Sequence, residues 1–208
     1  MKPILYSSPG SPSSRRVVML IRELGMANDI DVRTMDVRPR GMGGDNDKPD
    51  FLQINPNGKV PVLRDGDLTL WESHAISWYL ADQHGNTPLW PHDTRARAEI
   101  AMWQLWQVAQ LSPAVDALMY LAFTKSTDTA RIAELGGQLQ RWLGVLDNAL
   151  ADREWLVTGT CTCADFAVAT ALMYCDKAHL AERANARAWL ARVEARPAWV
   201  ETSPRAPR

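Results

Sequence analysis

Two short segments in the first half of the chain place the strongest constraint on its fold. The sequence reads NGKVPVL over residues 57–63 and, nine residues later, ESHAI over residues 72–76. Asn57-Gly58 is a strong turn signal. Pro61 lacks an N–H, so a strand that begins there keeps one open edge, and its peptide bond is a candidate for the cis form. The pair predicts an open strand edge for an extended peptide, beside a helix N-terminus suited to the carboxylate of that peptide.

The residues around this pair predict one mixed α/β domain over residues 1–82. Apolar residues recur at helical spacing after a first strand, and Gly25 ends that helix. An alternating segment predicts the second strand, and residues 38–50, rich in Gly, Asp and Pro, predict a loop. The order is β-α-β-loop-β-β-α, with strands at residues 4–6, 30–37, 59–63 and 68–70, and helices at residues 15–24 and from 72 onward.

The second half of the chain predicts helices alone. Gly and Pro mark a linker at residues 83–92, an all-helical bundle follows over residues 93–200, and a polar tail at 201–208 is predicted to be disordered. The predicted helices cover residues 96–123 with a kink at Ser112-Pro113, residues 129–150, a segment from 162 onward, and residues 183–194, which Pro197 ends.

Thr162 and Asp165 define the best-specified helix start in the chain. A hydroxyl at the N-cap and a carboxylate three residues later form a capping box, with Asp in place of the usual Glu. Cys161 and Phe166 occupy the positions of a hydrophobic staple. We therefore interpret Asp165 as a structural residue and not as a catalytic acid.

Composition argues against several classes of function. A net charge of −1 and a pI of about 6.4 give no global field that favours nucleic acid or an anionic membrane. No uncharged run approaches the ~20 residues that span a membrane, and no apolar leader follows Met1. The cysteines Cys161, Cys163 and Cys175 lack the spacing of a zinc site. We expect a cytoplasmic protein without a metal centre.

Four motifs in order carry a resemblance to a known family. They are SPGSPSSRRV at residues 8–17, NPNGKVPVL at 55–63, WESHAI at 71–76 and GTCTCADF at 159–166. Together they span most of the chain, which resembles the cytosolic glutathione S-transferases, in a bacterial-type form with a serine-type active site. The resemblance implies a thioredoxin-like N-terminal domain, a helical C-terminal domain and a homodimer.

The chemistry of this family requires a thiolate, because the thiol of glutathione is mostly protonated at neutral pH. A hydroxyl that donates to sulfur favours the charged form, and a helix N-terminus adds to the effect. In the serine-type classes the active serine lies five residues before the Arg of an Arg-Val pair, which implies Ser11 here. Ser13 and Ser14 are the alternatives, and at least one of these serines is expected to cap the helix. Tyr6 matches the catalytic tyrosine of other classes but also a core strand position.

The resemblance also implies how glutathione is bound. The backbone of Val60 pairs with the cysteinyl residue beside Pro61, in the manner of an added strand. Ser73 holds the γ-glutamyl carboxylate at a helix N-terminus, and Glu72 faces the γ-glutamyl amine. Lys59 reaches the glycine carboxylate. Outside this motif, Lys59 and Glu72 would be interpreted as solvated surface charges.

The chain departs from individual classes of the family in two places. The plant-type His-Lys pair that precedes the strand is replaced by Asn46 and Asp47, which leaves Lys59 alone for the glycine carboxylate. The first turn contains no cysteine, which argues against thiol-transferase chemistry. For the second substrate, Gln107, Leu111 and Ala114 share one face of the long helix. They either line the electrophile pocket or form core between helices.

The resulting prediction is an enzyme that conjugates the thiolate of glutathione to small hydrophobic electrophiles. An accompanying glutathione-dependent peroxidase activity would follow from the same thiolate. The alternative is a non-catalytic ligand-binding or protein-interaction module of the same fold. An exposed apolar strip on the third and fourth helices of the second half would support the homodimer.

Overall fold

The computed structural model describes residues 2–204 of the chain. They fold into a small sheet and a series of α-helices. The strands are β1 (Ile4–Ser7), β2 (Asp31–Thr34), β3 (Val62–Asp65) and β4 (Leu68–Trp71). The helices are α1 (Pro12–Glu23), α2 (Pro49–Ile54), α3 (Ser73–His84), α4 (Thr94–Trp106), α5 (Ser112–Phe123), α6 (Thr129–Ala149), α7 (Cys163–Ala171), α8 (Ala184–Glu194) and α9 (Pro197–Glu201).

The strands form one four-stranded mixed sheet in the order β2-β1-β3-β4. β1 pairs in parallel with β2 and antiparallel with β3, and β3 pairs antiparallel with β4. This arrangement confirms the predicted fold class. The third strand begins at Val62 instead of residue 59, and the predicted loop contains α2. Pro49 stands in the first turn of α2, where its missing N–H breaks no helical hydrogen bond.

The core of the first unit lies between the sheet and the two helices α1 and α3. Gly25, at a φ of 70°, ends α1 in the left-handed conformation that glycine adopts without strain. Burying the apolar faces of both helices supplies most of the stabilisation of this unit. The buried cluster consists of Leu5, Val17, Ile21, Ile30, Leu63, Ile76 and Leu80.

The second unit covers Pro88–Arg196 and contains only helices. α4 passes through one π-helical turn at Gln107–Leu111 into α5, where Pro113 stands in the first turn. Proline cannot donate to the preceding turn, so the wider turn accommodates the break that the sequence predicted. Every residue of α7 is buried, which makes α7 the central helix of this unit.

Asp165 connects the start of α7 to two other segments of the second unit. Its carboxylate accepts hydrogen bonds from the backbone N–H of Thr162 at 2.7 Å, the backbone N–H of Leu156 at 3.0 Å and the indole N–H of Trp189 at 2.8 Å. The Thr162 hydroxyl donates a further bond at 2.9 Å, and the capping box is present as predicted. Burial raises the pKa of Asp165, and these donors oppose the rise by stabilising the carboxylate.

The division of the chain differs from the predicted boundaries at both ends of the helical half. The first unit extends to Thr87 and also includes the segment from Pro197, whereas the helical bundle was predicted to continue to residue 200. Pro197 does end the preceding helix, but it also begins α9, because proline is tolerated in a first turn. Glu201 is the last residue of α9 and not part of a disordered tail. Residues 205–208 of that predicted tail lie outside the described residues.

Replacing Asp165 by Ala should destabilise the protein far more than removing an ordinary helix cap. Asp165→Ala leaves buried donors without an acceptor, so we expect a loss of about 4 kcal/mol in the free energy of unfolding. Asp128 is an exposed N-cap whose carboxylate accepts the backbone N–H of Arg131 at 2.9 Å, and it serves as the control. Asp128→Ala should cost about 1 kcal/mol. If urea denaturation shows equal losses in the free energy of unfolding for Asp165→Ala and Asp128→Ala, the role assigned to Asp165 is contradicted.

Candidate active site

The register of the sheet brings three turns to one edge. Tyr6 of β1 pairs with Val62 of β3, and Val62 pairs with Trp71 of β4. β1 runs antiparallel to β3, so the residues that follow β1 lie beside those that precede β3. The residues that follow β4 reach the same edge for the same reason. The serine turn (residues 8–11), the Val60-Pro61 peptide and the start of α3 therefore meet there.

Ser11 caps the first helix from the end of the serine turn. Its hydroxyl oxygen accepts the backbone N–H of Ser14 at 3.2 Å, which satisfies one of the unpaired donors at the helix start. Ser14 is fully buried, and its own hydroxyl oxygen accepts from the backbone N–H of Ser8 at 3.3 Å. Ser11 and Ser13 are partly exposed. The helix start thus leaves two of the three candidate serines within reach of a ligand.

A cavity of about 520 Å³ opens beside this helix start. It brings together Ser11, Lys59 and Val60, three of the residues that the sequence singled out. The other lining residues come from the first turn of α1, the loop after β2 and the turn before β3. They are Ser13, Val37, Arg38, Pro39, Arg40, Asn46, Asp47, Asn57 and Gly58.

Val60 presents free backbone groups on one side of this cavity. The Val60-Pro61 peptide is cis, and both residues are buried. Within residues 2–204, no hydrogen bond involves the backbone N–H or C=O of Val60. An extended peptide could pair with both groups as an added strand. Lys59 is exposed, and its backbone carbonyl accepts from the side-chain amide of Asn55 at 2.7 Å.

The start of α3 combines strained backbone with helix donors. Glu72, the N-cap residue, has a φ of 76°, an unusual value for a residue other than glycine. Ser73 follows as the first helical residue and is buried. The first N–H groups of a helix have no partner within the helix and favour an anion. Strain of this kind persists where the surrounding structure enforces it, and it is frequent at functional sites.

The sequence missed two arginines that line the cavity, because residues 38–50 were interpreted only as a loop. Arg38 donates to Asp36, with an Nη2–Oδ2 distance of 2.6 Å, and this hydrogen bond raises the pKa of Arg38. Arg40 is exposed. The sequence did contain a signal for them, because Arg38 and Arg40 flank Pro39 in a loop next to the predicted binding site of a carboxylate.

Asn46 explains how this loop keeps its position beside the turn before β3. Its side-chain oxygen accepts the backbone N–H of Arg38 at 2.9 Å, and its amide donates to the carbonyls of Arg38 and Gly58 at 3.0 and 3.2 Å. Asp47 accepts the backbone N–H of Gly41 at 2.6 Å. Both residues, which depart from the plant-type pair, therefore organise the loop.

Both halves of the chain match known protein families. Residues 5–88 match the family model described as "Glutathione S-transferase, N-terminal domain", and residues 111–197 match "Glutathione S-transferase, C-terminal domain". Together the two matches cover well over half of the chain. The protein belongs to the glutathione S-transferase family. Its assignment to a bacterial-type, serine-type class stays a prediction.

Individual glutathione S-transferases resemble the chain over nearly its full length. A glutathione S-transferase from Hyoscyamus muticus is 31% identical over 206 residues, which cover 94% of each chain. Glutathione S-transferase GstB from Escherichia coli strain K12 is 36% identical over 201 residues, or 93% of this chain and 94% of the relative.

Solved structures extend this similarity to the fold. A glutathione transferase family member from Pseudomonas fluorescens, solved with two glutathione molecules bound, superimposes with a TM-score of 0.84 at 27% identity. That match covers 97% of this chain and 92% of the other. Glutathione transferase F7 from Populus trichocarpa gives a TM-score of 0.83 at 25% identity, with 97% of each chain covered.

The residues predicted to line the electrophile pocket of this glutathione S-transferase lie in the interior of the helical unit. Gln107, Leu111 and Ala114 are exposed by 2%, 0% and 2%. The side-chain amide of Gln107 donates to the hydroxyl of Ser112. Such burial fits the second interpretation of these residues, core between helices. The helical spacing that put them on one face could not tell whether that face is open to solvent.

Two of the protein's three thiols, those of Cys163 and Cys175, are poor nucleophiles. Burial raises the pKa of Cys163 to about 12 and that of Cys175 to about 11, so both stay protonated at neutral pH. Tyr6 packs edge-to-face against Phe51, with ring centroids 5.9 Å apart, in a core cluster under the sheet. No group of three or more His, Cys, Asp or Glu side chains within residues 2–204 is arranged to hold a metal ion.

Within residues 2–204, no helix is both long and apolar enough to cross a membrane.

The strain at Glu72 should be detectable by comparing glycine with alanine at that position. Glycine adopts a positive φ readily, so Glu72→Gly should be more stable than Glu72→Ala by about 1 kcal/mol in chemical denaturation. Both variants lose the carboxylate and should bind glutathione more weakly.

Glu99 provides the matched control, because it is exposed and lies within α4. There the order should reverse, with Glu99→Gly less stable than Glu99→Ala by about 1 kcal/mol. If the glycine variant is less stable than the alanine variant at both positions, the conformation at Glu72 is not strained.

Proposed function

We propose that this glutathione transferase is a serine-type enzyme in which the hydroxyl of Ser11 stabilises the thiolate of glutathione. The thiolate then attacks small, mostly apolar electrophiles. One observation carries the proposal: Ser11 borders the cavity while its oxygen already accepts the backbone N–H of Ser14. The hydroxyl proton is therefore left to donate into the cavity.

Two physical effects would act together on the bound thiol. A hydrogen bond from Ser11 favours the thiolate over the thiol, and the N-terminus of α1 adds a partial positive charge. Both effects lower the pKa of the thiol below the value of about 8.5 of a free cysteine. At neutral pH a larger fraction of bound glutathione is then reactive. Ser11 itself forms no covalent bond.

The remaining contacts follow from the three turns at the sheet edge. The backbone of Val60, next to the cis peptide with Pro61, pairs with the cysteinyl residue of glutathione. Ser73 and the first N–H groups of α3 bind the γ-glutamyl carboxylate, and Glu72 binds the γ-glutamyl amine. Lys59 binds the glycine carboxylate, and Arg40, which lines the same cavity, adds a second positive charge.

The same thiolate would reduce organic hydroperoxides, which makes a glutathione-dependent peroxidase activity a secondary role. The non-catalytic alternative is less well supported. Relatives of 31% and 36% identity that cover almost the whole chain bear the name glutathione S-transferase. We place the enzyme in the cytoplasm.

A homodimer is supported by an apolar strip on α4 and the turn that follows it. Met102, Leu105 and Val108 are exposed by 55%, 60% and 49%, and their spacing puts them on neighbouring turns. A contiguous exposed apolar patch is typical of an interaction surface. The strip was expected on α7 and α8, but α7 is entirely buried, and the apolar residues Trp189 and Val193 of α8 face the core.

The pH dependence of the reaction tests the role of Ser11. We would measure kcat/KM for chlorodinitrobenzene at saturating glutathione, which follows the ionisation of the bound thiol. In the wild type this constant should rise with pH and level off above the lowered pKa. In Ser11→Ala the midpoint should move upward by about 1–2 pH units, with roughly a tenfold to hundredfold loss near pH 6.5.

Two further variants separate this effect from the loss of the helix cap. Ser11→Asp keeps an acceptor for the Ser14 N–H but lacks a hydroxyl, so it should also be impaired. Ser13→Ala should resemble the wild type. An unchanged profile in Ser11→Ala, together with a shifted profile in Ser13→Ala, would transfer the role to Ser13 and refute the assignment.

Sedimentation velocity tests the homodimer. The wild type should sediment as a dimer, and Leu105→Glu should sediment as a monomer, because it places a charge in the apolar strip. Ile132→Glu changes an apolar residue of α6, exposed by 38%, that lies outside the strip. It should remain a dimer. A monomeric wild type, or a dimeric Leu105→Glu variant, would rule out this interface.

A further inference from the structure

The segment at residues 197–204, termed here the C-terminal segment, makes several contacts with the side chain of Arg15 in α1. The guanidinium of Arg15 lies 3.8 Å from the centroid of the Trp199 ring. Its Nη2 donates to the backbone carbonyl of Trp199 at 2.7 Å, and its Nε donates to the hydroxyl of Thr202 at 3.3 Å. The C-terminal segment therefore supplies a ring face and two acceptors to one side chain.

These contacts are important because Arg15 is buried. The residue is only 4% exposed, although it carries a permanent charge. A buried guanidinium is unfavourable unless hydrogen bonds and a polarisable surface replace its lost water. The hydroxyl of Thr202 is held in place for this task, because it donates to the carbonyl of Ala198 at 2.6 Å.

Arg15 is also one helical turn away from Ser11. Its backbone N–H donates to the carbonyl of Ser11 at 2.9 Å, which is the hydrogen bond that starts α1. Arg15 also lines a cavity of about 270 Å³ between the serine turn and the C-terminal segment, together with Ser8 and Ser203. Direct packing is therefore incomplete at this point, and the contacts of Arg15 connect the two segments.

We propose that Arg15 is a positioning residue through which the C-terminal segment holds the first turn of α1, and with it the hydroxyl of Ser11, in place. The position of that hydroxyl decides how well it can donate to sulfur, because a hydrogen bond weakens steeply with distance and angle. Arg15 does not touch glutathione in this role. It acts through the backbone of Ser11 and the first turn of α1.

The test changes the C-terminal segment and leaves both Arg15 and the active site untouched. In the double variant Trp199→Leu/Thr202→Val, the guanidinium loses the ring and the hydroxyl. We expect kcat for chlorodinitrobenzene to fall about tenfold, because a small misplacement of a catalytic group has effects of this size. The midpoint of the pH profile should rise, while KM for glutathione changes by less than about twofold.

Glu201→Gln is the matched control on the same helix. It removes the exposed ion pair between Glu201 and Arg22, which are 3.1 Å apart, and leaves Trp199 and Thr202, the partners of Arg15, in place. Its kcat and pH profile should equal those of the wild type. If the double variant does not fold, Thr202→Val alone replaces it, with a smaller change in the same direction expected.

The outcomes separate a positioning role from a structural one. A folded variant of the C-terminal segment that unfolds at a lower temperature, but keeps the wild-type kcat and pH profile, would overturn the proposal. Because this role depends on the proposed function of Ser11, Ser11→Ala is measured in parallel. An impaired Ser11→Ala beside a fully active double variant would refute the role of Arg15 alone. An unimpaired Ser11→Ala would refute the proposed function itself.

Discussion

The pairing of β3 with both β1 and β4 is the constraint on which the candidate site depends. Tyr6, Val62 and Trp71 stand opposite one another across these strands. Side chains alternate between the faces of a strand, so a shift of the register by one residue would move buried residues to the solvent side. The buried side chains Leu5 and Leu63 therefore fix the register. The register in turn fixes where the serine turn, the cis peptide and the start of α3 meet.

At that edge, groups that complete the secondary structure are also the groups available for chemistry. The oxygen of Ser11 satisfies the start of α1, and its proton stays available to a ligand. The first N–H groups of α3 have no acceptor inside the helix and suit a carboxylate. Glu72 is held at a positive φ between β4 and α3. In the helical unit, by contrast, Asp165 has all its acceptor capacity engaged within the fold, which suits a residue that only stabilises.

Sequence alone predicted the features whose determinants lie within a few residues of each other. The capping box at Thr162, the start of α3 at Ser73 and the role of Gly25 follow from local rules of this kind. The contacts of Arg15 do not, because its partners are 184 and 187 residues away along the chain. For a related reason, the sequence did not predict that Arg38 and Arg40 line the cavity. A loop without periodicity gives no signal about which of its side chains face inward.

Proton release on glutathione binding tests the central claim most directly. Calorimetric titrations near neutral pH, in buffers with different ionisation enthalpies, give the number of protons released as the ligand binds. If the serine turn stabilises a thiolate, the wild type should release a substantial fraction of a proton per site, and Ser11→Ala should bind glutathione with little release. Binding without proton release by the wild type would contradict thiolate stabilisation at this edge of the sheet.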